Sequence, residues 1–128
     1  MSGTHAIKTD LERNMIEISL QGTIDKPGAE QFVKDVAMVL EQLREGFVVL
    51  SDIRRVTGIT ADAYPVLTGY MDCCNRKKVR AIARILSRQM ENHGFMIMSN
   101  MHYGRNVSIR EFTSRKQAVE HLSCFKCK

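Results

Sequence analysis

The chain opens on two runs in which apolar and polar residues alternate. Ala6, Lys8 and Asp10 stand against Ile7, Thr9 and Leu11; after the polar break Glu12-Arg13-Asn14, the run Met15-Ile16-Glu17-Ile18-Ser19-Leu20 alternates again, with Ile16, Ile18 and Leu20 on one side. A period of two is the side-chain period of a strand with one buried face, so two such runs around a short break predict an antiparallel hairpin. Gly22-Thr23-Ile24-Asp25 closes the second strand, and the period then changes. Asp25 is placed to cap a helix, with Pro27 in a first turn where its missing N–H costs nothing. Phe32, Val33, Val36, Ala37, Leu40 and Leu43 recur at spacings of three and four, an amphipathic helix of about five turns that ends at Glu45-Gly46.

Phe47-Val48-Val49-Leu50 is continuously apolar, as a strand covered on both faces should be. Ser51 through Thr60 reads as a loop. Ala63, Val66, Leu67, Tyr70, Met71 and Cys74 mark the buried face of a second helix, with Pro65 in its first turn. Arg80 through Leu86 reads as a strand, and Ser87 caps a third helix reaching about Tyr103, in which Gly94 is unfavourable. Val107 through Phe112 alternates as a last strand, and the capping box Ser114-Arg115-Lys116-Gln117 leads a final helix that buries Ala118, Val119 and Leu122. The order β-β-α-β-α-β-α-β-α predicts an α/β protein. It is a mostly parallel sheet of about five strands with right-handed crossovers, an N-terminal antiparallel hairpin and four helices.

Composition narrows the class without naming a function. The 128 residues suit one domain over 1–128, able to bury roughly two thirds of its unfolded surface. Apolar residues at 44% and charged residues at 26% exclude a collagen, a low-complexity chain and a long disordered tail. No apolar run approaches the ~18 residues of a membrane span, and Met-Ser-Gly-Thr-His-Ala-Ile-Lys carries no signal-peptide core. A chain of this size needs no disulfide framework, so reduced thiols in the cytoplasm are expected.

Candidate chemistry is sparse. Cys73 and Cys74 are adjacent, which suits chelation poorly, and His121-x-x-Cys124-x-x-Cys127 lies in a terminus that tends to fray. Cys124 follows a helix instead of opening one, unlike a redox Cys-x-x-Cys. No metal and no cofactor is therefore expected. His93 and His102 flank a Met-rich stretch, and either would serve as a general base only with a substrate in reach. Met90, Met96, Met98 and Met101 exceed what one helical face hides, so they form either core or an apolar partner surface, to which methionine adapts well. Net charge is +5. It gathers at Arg76, Lys77, Lys78, Arg80, Arg84 and Arg88 and at Arg54-Arg55; without interleaved aromatics the run reads as a solvated face, and nucleic acid is not expected. No nucleophile elbow, P-loop, dinucleotide fingerprint or zincin motif is present.

Three stretches together carry a family likeness: Ile16 to Asp25, a strand ending in Gly and a polar turn; Val48 to Thr60, a strand followed by Asp52-Ile53, two residues and Val56-Thr57; and Ile109-Arg110-Glu111-Phe112 with the helix from Ser114 to Leu122. In order and spacing they resemble the STAS superfamily of sulfate transporters and anti-sigma-factor antagonists, and within it the SpoIIAA-like small bacterial proteins. The resemblance implies a β–α superhelix with strands added in sequence order, and so no topological switch point where a nucleotide would sit. It also implies a phosphorylatable Ser after an Asp at the start of the second crossover helix. Those two positions fall on Thr60 and Ala61, so that switch is absent. Thr57 or Thr60 is the substitute acceptor, since phosphate at a helix N-terminus is favoured. The plainer reading of Thr60 is a cap or turn residue.

The sequence thus leads to a non-enzymatic regulatory or interaction domain. It would bind a protein partner through Asp52, Arg54, Arg55, Thr57 and Thr60, with Met90, Met96, Met98 and Met101 as an apolar surface. The alternatives are a small apolar or anionic ligand held between the third helix and the sheet, and a small enzyme using His93 or His102. Pairing as a homodimer stays open.

Overall fold

The polar break in the first alternating run forms a turn, and that turn anchors the molecule. The structure, a computed structural model, describes residues 3–87, Tyr103 and 107–125. Within them β1 (Thr4–Asp10) and β2 (Met15–Ile24) pair antiparallel from Thr4↔Gln21 to Asp10↔Met15. Asn14 closes the turn at φ 53°, the left-handed region that asparagine tolerates better than most residues. Its side chain is 2% exposed. Its Nδ2 donates to the Arg44 carbonyl at 3.0 Å and its Oδ1 accepts from the Arg44 N–H at 2.8 Å. Its own carbonyl accepts from the Val48 N–H at 3.0 Å. One residue therefore ties the hairpin to the connection that delivers the next strand.

α1 (Lys26–Leu40) begins as the sequence predicts, with Asp25 Oδ1 accepting from the Gly28 N–H at 2.9 Å and Pro27 in the first turn. It ends earlier than the apolar spacing predicts. After Leu40 the chain tightens: the Gln42 N–H donates to the Val39 carbonyl and the Leu43 N–H to the Leu40 carbonyl, the i to i−3 bonds that close a last turn. Leu43 is buried from this turn, and Gly46 reverses the chain at φ 80°.

The predicted loop over residues 51–60 is instead strand. β3 (Val48–Ile59) runs parallel to β2 from Met15↔Val48 to Ile24↔Ile59. The apolar run stops at Leu50, but main-chain pairing with β2 does not, and Ser51 and Ile53 are buried. Two register shifts, between Ser19 and Gln21 and between Gly22 and Thr23, absorb extra residues on β3. Gly22 takes φ 80° at the second, and a Cβ there would meet Gly3 Cα at 3.0 Å, so glycine suits this kink.

A 3-10 turn (Ala61–Ala63) leads into α2 (Tyr64–Arg76), followed by β4 (Ala81–Ile85), β5 (Ser108–Phe112) and α3 (Arg115–Leu122). Ser114 Oγ caps α3 through the Gln117 N–H at 3.4 Å. The sheet order is β1-β2-β3-β4-β5, with only the β1·β2 pair antiparallel. Three α-helices stand among the described residues, against four expected; the helix expected from Ser87 to about Tyr103 falls almost wholly outside them. No helix among the described residues is long and apolar enough to cross a membrane.

The two faces of the sheet are unequal. Ile16, Ile18 and Leu20 of β2, Val49 and Ile53 of β3 and Ile82 of β4 meet Phe32, Val36, Leu67, Tyr70 and Met71 of α1 and α2. On the other face Met15, Val48, Leu50, Ala81, Ala83 and Ile85 cluster, among the described residues, with Ala118 and Leu122 of α3, and Phe112, Val119 and Phe125 pack against them. His5 pins the edge strand to α1 through Asp35 at 2.7 Å, its ring edge-on to Phe32.

Asn14→Ala removes both side-chain bonds to Arg44 and places a less tolerant residue at positive φ. It is expected to cost about 2 kcal/mol, read as a lower urea midpoint at unchanged slope. Asn14→Gly should recover only the backbone share, because it too cannot bond Arg44.

Candidate functional site

β4 accompanies β3 only as far as the Asp52↔Ile85 pair. Beyond it β3 continues with β2 along one side and, among the described residues, no strand along the other. The sequence-predicted residues Asp52, Arg54, Arg55, Thr57 and Thr60 occupy this overhang and its end. Register sets Asp52 beside Ser19 and Arg55 beside Gln21. Those positions share the face that α3 covers farther back along the strands.

Each of these side chains except Arg55 has a resolved local contact. Asp52 is gripped by Arg54, whose Nε donates to Oδ1 at 3.0 Å and whose Nη2 donates to Oδ2 at 2.8 Å; the Arg54 N–H adds a third bond at 3.2 Å. This two-pronged contact holds the Asp52 carboxyl below its ordinary pKa of 3.8, against the opposing effect of partial burial. Arg54 and Arg55 are both exposed. Thr57 Oγ1 lies 3.1 Å from Thr23 Oγ1 across the strand pair. Thr60 closes the pair, its N–H donating to the Ile24 carbonyl at 2.9 Å. Its hydroxyl donates to Asp62 Oδ1 at 2.6 Å and caps no helical N–H, so it acts as a turn residue. Ala61 starts the 3-10 turn and brings no hydroxyl.

Several neighbours were not singled out from the sequence. Thr23 meets Thr57, Gln21 donates to Thr4 Oγ1 at 2.7 Å, and Glu17 accepts from Arg115 at 2.7 Å. The signal was present in β2, where Glu17, Ser19 and Gln21 are the polar half of the alternation that buries Ile16, Ile18 and Leu20. Together these residues make the part of the α3 face that no other described element covers a polar surface.

The basic run does not hold together as a solvated face. Arg84 is 2% exposed. It alternates with Ala83 and Ile85 and so points to the α1–α2 side, opposite Glu111 in the strand register. Burial pulls its pKa down, while Tyr103, Tyr70 and Glu111 favour its charged form. Burial also pushes the Tyr70 hydroxyl up and the Cys74 thiol up to about 12, which makes Cys74 an inert core residue. Cys73 is partly exposed and Cys124 exposed. Among the described residues no three His, Cys, Asp or Glu side chains gather as a metal-ligand set. Met90, Met96, Met98 and Met101, with His93, His102, Arg88 and Cys127, lie outside the described residues.

Three cavities among the described residues lie away from the β3 overhang. One of about 390 Å³ sits between the hairpin turn and α3, lined by Met15, Val48, Val119, Leu122 and Phe125 with Arg13 at its rim. One of about 350 Å³ lies between β1 and α1, at His5, Ile7, Asp35, Met38 and Val39. One of about 230 Å³ lies at Leu40, Cys73 and Arg76.

No family model matches the chain, and no curated protein matches it. Solved structures do. A protein of the DUF3478 family with a SpoIIAA-like fold, from Shewanella loihica PV-4, is 14% identical with a TM-score of 0.67 over 94% of each chain. An anti-sigma factor antagonist from Mycobacterium paratuberculosis is 10% identical with a TM-score of 0.63, again over 94% of each chain. A chain of the complex between the diguanylate cyclase SiaD and its activator SiaC, from Pseudomonas aeruginosa, is 13% identical with a TM-score of 0.56, over 88% of this chain and 95% of that one. With strands laid down in sequence order behind one antiparallel hairpin, and with these structures matching nearly its whole length, the chain has the SpoIIAA-like fold.

Proposed function

We propose that this chain is a regulatory protein that performs no chemistry of its own and acts by binding a protein partner through the overhanging half of β3. The observation that carries the reading is that β3 outruns β4, which leaves Arg54, Arg55 and Thr57 exposed on a strand whose other side is held rigidly by β2. A surface on a strand is more exactly placed than one on a loop. Two exposed guanidiniums fit a partner with carboxylates at the contact, which suits a chain of net charge +5. Asp52 serves as the clamp that orients Arg54. The class of function is supported by the similar structures, one named an anti-sigma factor antagonist and one a chain of a complex between a diguanylate cyclase and its activator. The methionines Met90, Met96, Met98 and Met101 belong to the same proposal as an apolar partner surface.

The binding is not gated by phosphate at Thr60. The Thr60 hydroxyl already faces the Asp62 carboxylate, and a phosphate there would meet a like charge. Ala61, at the position where the resemblance implies serine, offers no acceptor.

The test is capture of partners from native lysate with wild type, the double variant Arg54→Ala/Arg55→Ala, and Thr60→Val. The arginine variant should lose about tenfold or more of the captured partner, as expected for removing two charged contacts, with Thr60→Val unchanged. Capture that is absent in wild type, or equal in all three proteins, would overturn the reading.

The clamp also carries a pH signature. Because the folded state lowers the Asp52 pKa, its contribution to stability is complete above the unfolded value near 3.8 and is lost as pH falls through the lower folded value. The stability gap between wild type and Asp52→Asn should therefore be constant at neutral and mildly acidic pH and close as pH falls below 3.8. Urea titrations of both proteins across that range would show it.

A further inference from the structure

We propose that the cavity of about 390 Å³ between the β1–β2 turn and α3 binds a free apolar α-amino acid, its side chain inside and both of its charges at the rim. Met15 and Val48 open β2 and β3, Val119 and Leu122 come from α3, and Phe125 lies just beyond it; together they make the walls apolar. Met15, Val48 and Leu122 are core residues of this face, and Val119 and Phe125 pack against them, so the walls are continuous with the core. Phe125 is braced from behind: the His121 ring meets it edge-on at 5.2 Å, and the Arg80 guanidinium lies over its ring at 5.6 Å. The volume falls in the range of small-molecule sites, roughly 300–1,000 Å³, where apolar walls bury the body of a ligand and a few polar groups orient it.

The polar groups here are two side chains of opposite charge, Glu12 and Arg13, which also line the cavity. Both belong to a turn whose place is fixed. The Arg13 N–H donates to Asp10 Oδ1 at 3.2 Å, and Asn14, the next residue, bonds both main-chain groups of Arg44. Arg13 meets Asp10 Oδ2 through Nε at 3.6 Å, an exposed contact of a kind worth little, so Asp10 does not hold the guanidinium against a ligand carboxylate. Glu12 forms no ion pair among the described residues. This pair of charges chooses the class of ligand. An amphipathic acid would answer Arg13 but bring its carboxylate to Glu12; an amphipathic amine would answer Glu12 but bring its ammonium to Arg13. Like charges brought together cost affinity. An apolar α-amino acid carries both charges on one carbon and an apolar side chain beside them, so it answers both rim groups and fills the walls. Val48 opens β3 and Thr57 lies near its other end, so this site is apart from the Arg54–Arg55 surface and does not rest on the function proposed for it.

Titrations of the isotope-labelled full chain, followed by amide chemical shifts, test this. The probes are L-phenylalanine and L-leucine, with phenylpropionate and phenethylamine, each of which lacks one of the two charges of phenylalanine. L-Phenylalanine or L-leucine should saturate the protein with a Kd of about 1 mM or below, as befits a ligand of this size, and shift the amides of the turn and of Val119 to Phe125. The one-charge analogues should bind about fivefold or more weakly than L-phenylalanine. Arg13→Ala should weaken L-phenylalanine by a similar factor without weakening phenethylamine, and Glu12→Gln should weaken it without weakening phenylpropionate. Both substitutions are at exposed positions, and thermal melts by circular dichroism confirm that the variants are folded. Failure of both amino acids to saturate the protein overturns the proposal. So does an analogue that binds as tightly as L-phenylalanine, or binding indifferent to both variants.

Discussion

The parallel pairing of β2 with β3 is the constraint on which the rest of the molecule hangs. Asn14 sets its beginning by bonding both main-chain groups of Arg44 and placing the Val48 N–H on its own carbonyl. Thr60 sets its end by donating to the Ile24 carbonyl. Between those points the two strands stay paired through two register shifts. Every crossover is then measured from this pair. α1 must span from the end of β2 to the start of β3, and α2 must bring the chain back to lay β4 beside β3. A parallel pair cannot be closed by a tight turn, so an interaction at its start, far along the chain from α1's own cap, matters more than a local one.

Unequal cover of the sheet turns this scaffold into a candidate binding surface. Two helices seal one face, and the alternation in β2 sends Ile16, Ile18 and Leu20 into it. On the other face, among the described residues, one short helix, α3, covers the central strands at one end. What it leaves open is polar: Ser19, Gln21 and Thr23 of β2, then Asp52, Arg55 and Thr57 of β3. The same strands thus hold the core with one set of side chains and face outward with the other.

Where structure and sequence part, the cause in each case is a contact distant along the chain. Residues 51–60 lose their apolar character after Leu50 and so read as a loop, but β2 supplies hydrogen bonds that composition does not reveal. Leu43 has the right spacing for α1, yet the helix closes at Leu40 while Leu43 still finds the core from a turn. Arg84 belongs by count to a basic run, but strand alternation puts it inside, opposite Glu111. The five candidate residues could be grouped from the sequence because they all lie within residues 52–60. Their partners Thr23, Gln21 and Asp62 could not, because a hydroxyl or an amide carries no sign of what it will face.

Local sequence determined where most strands and helices begin, since a change of period from two to three or four, an aspartate cap and a proline in a first turn act over a few residues. The strand order was implied by the family resemblance, since alternation of elements and right-handed crossovers leave more than one order open. Only the tertiary structure decided how far β3 runs, which face of the sheet stays open, and that Asp52 locks Arg54 on that face. Those outcomes depend on register and on which helix covers what. Register is set by pairing between residues some thirty positions apart, where the hydrogen-bond energy of the main chain, common to all residues, outweighs the preferences of the side chains.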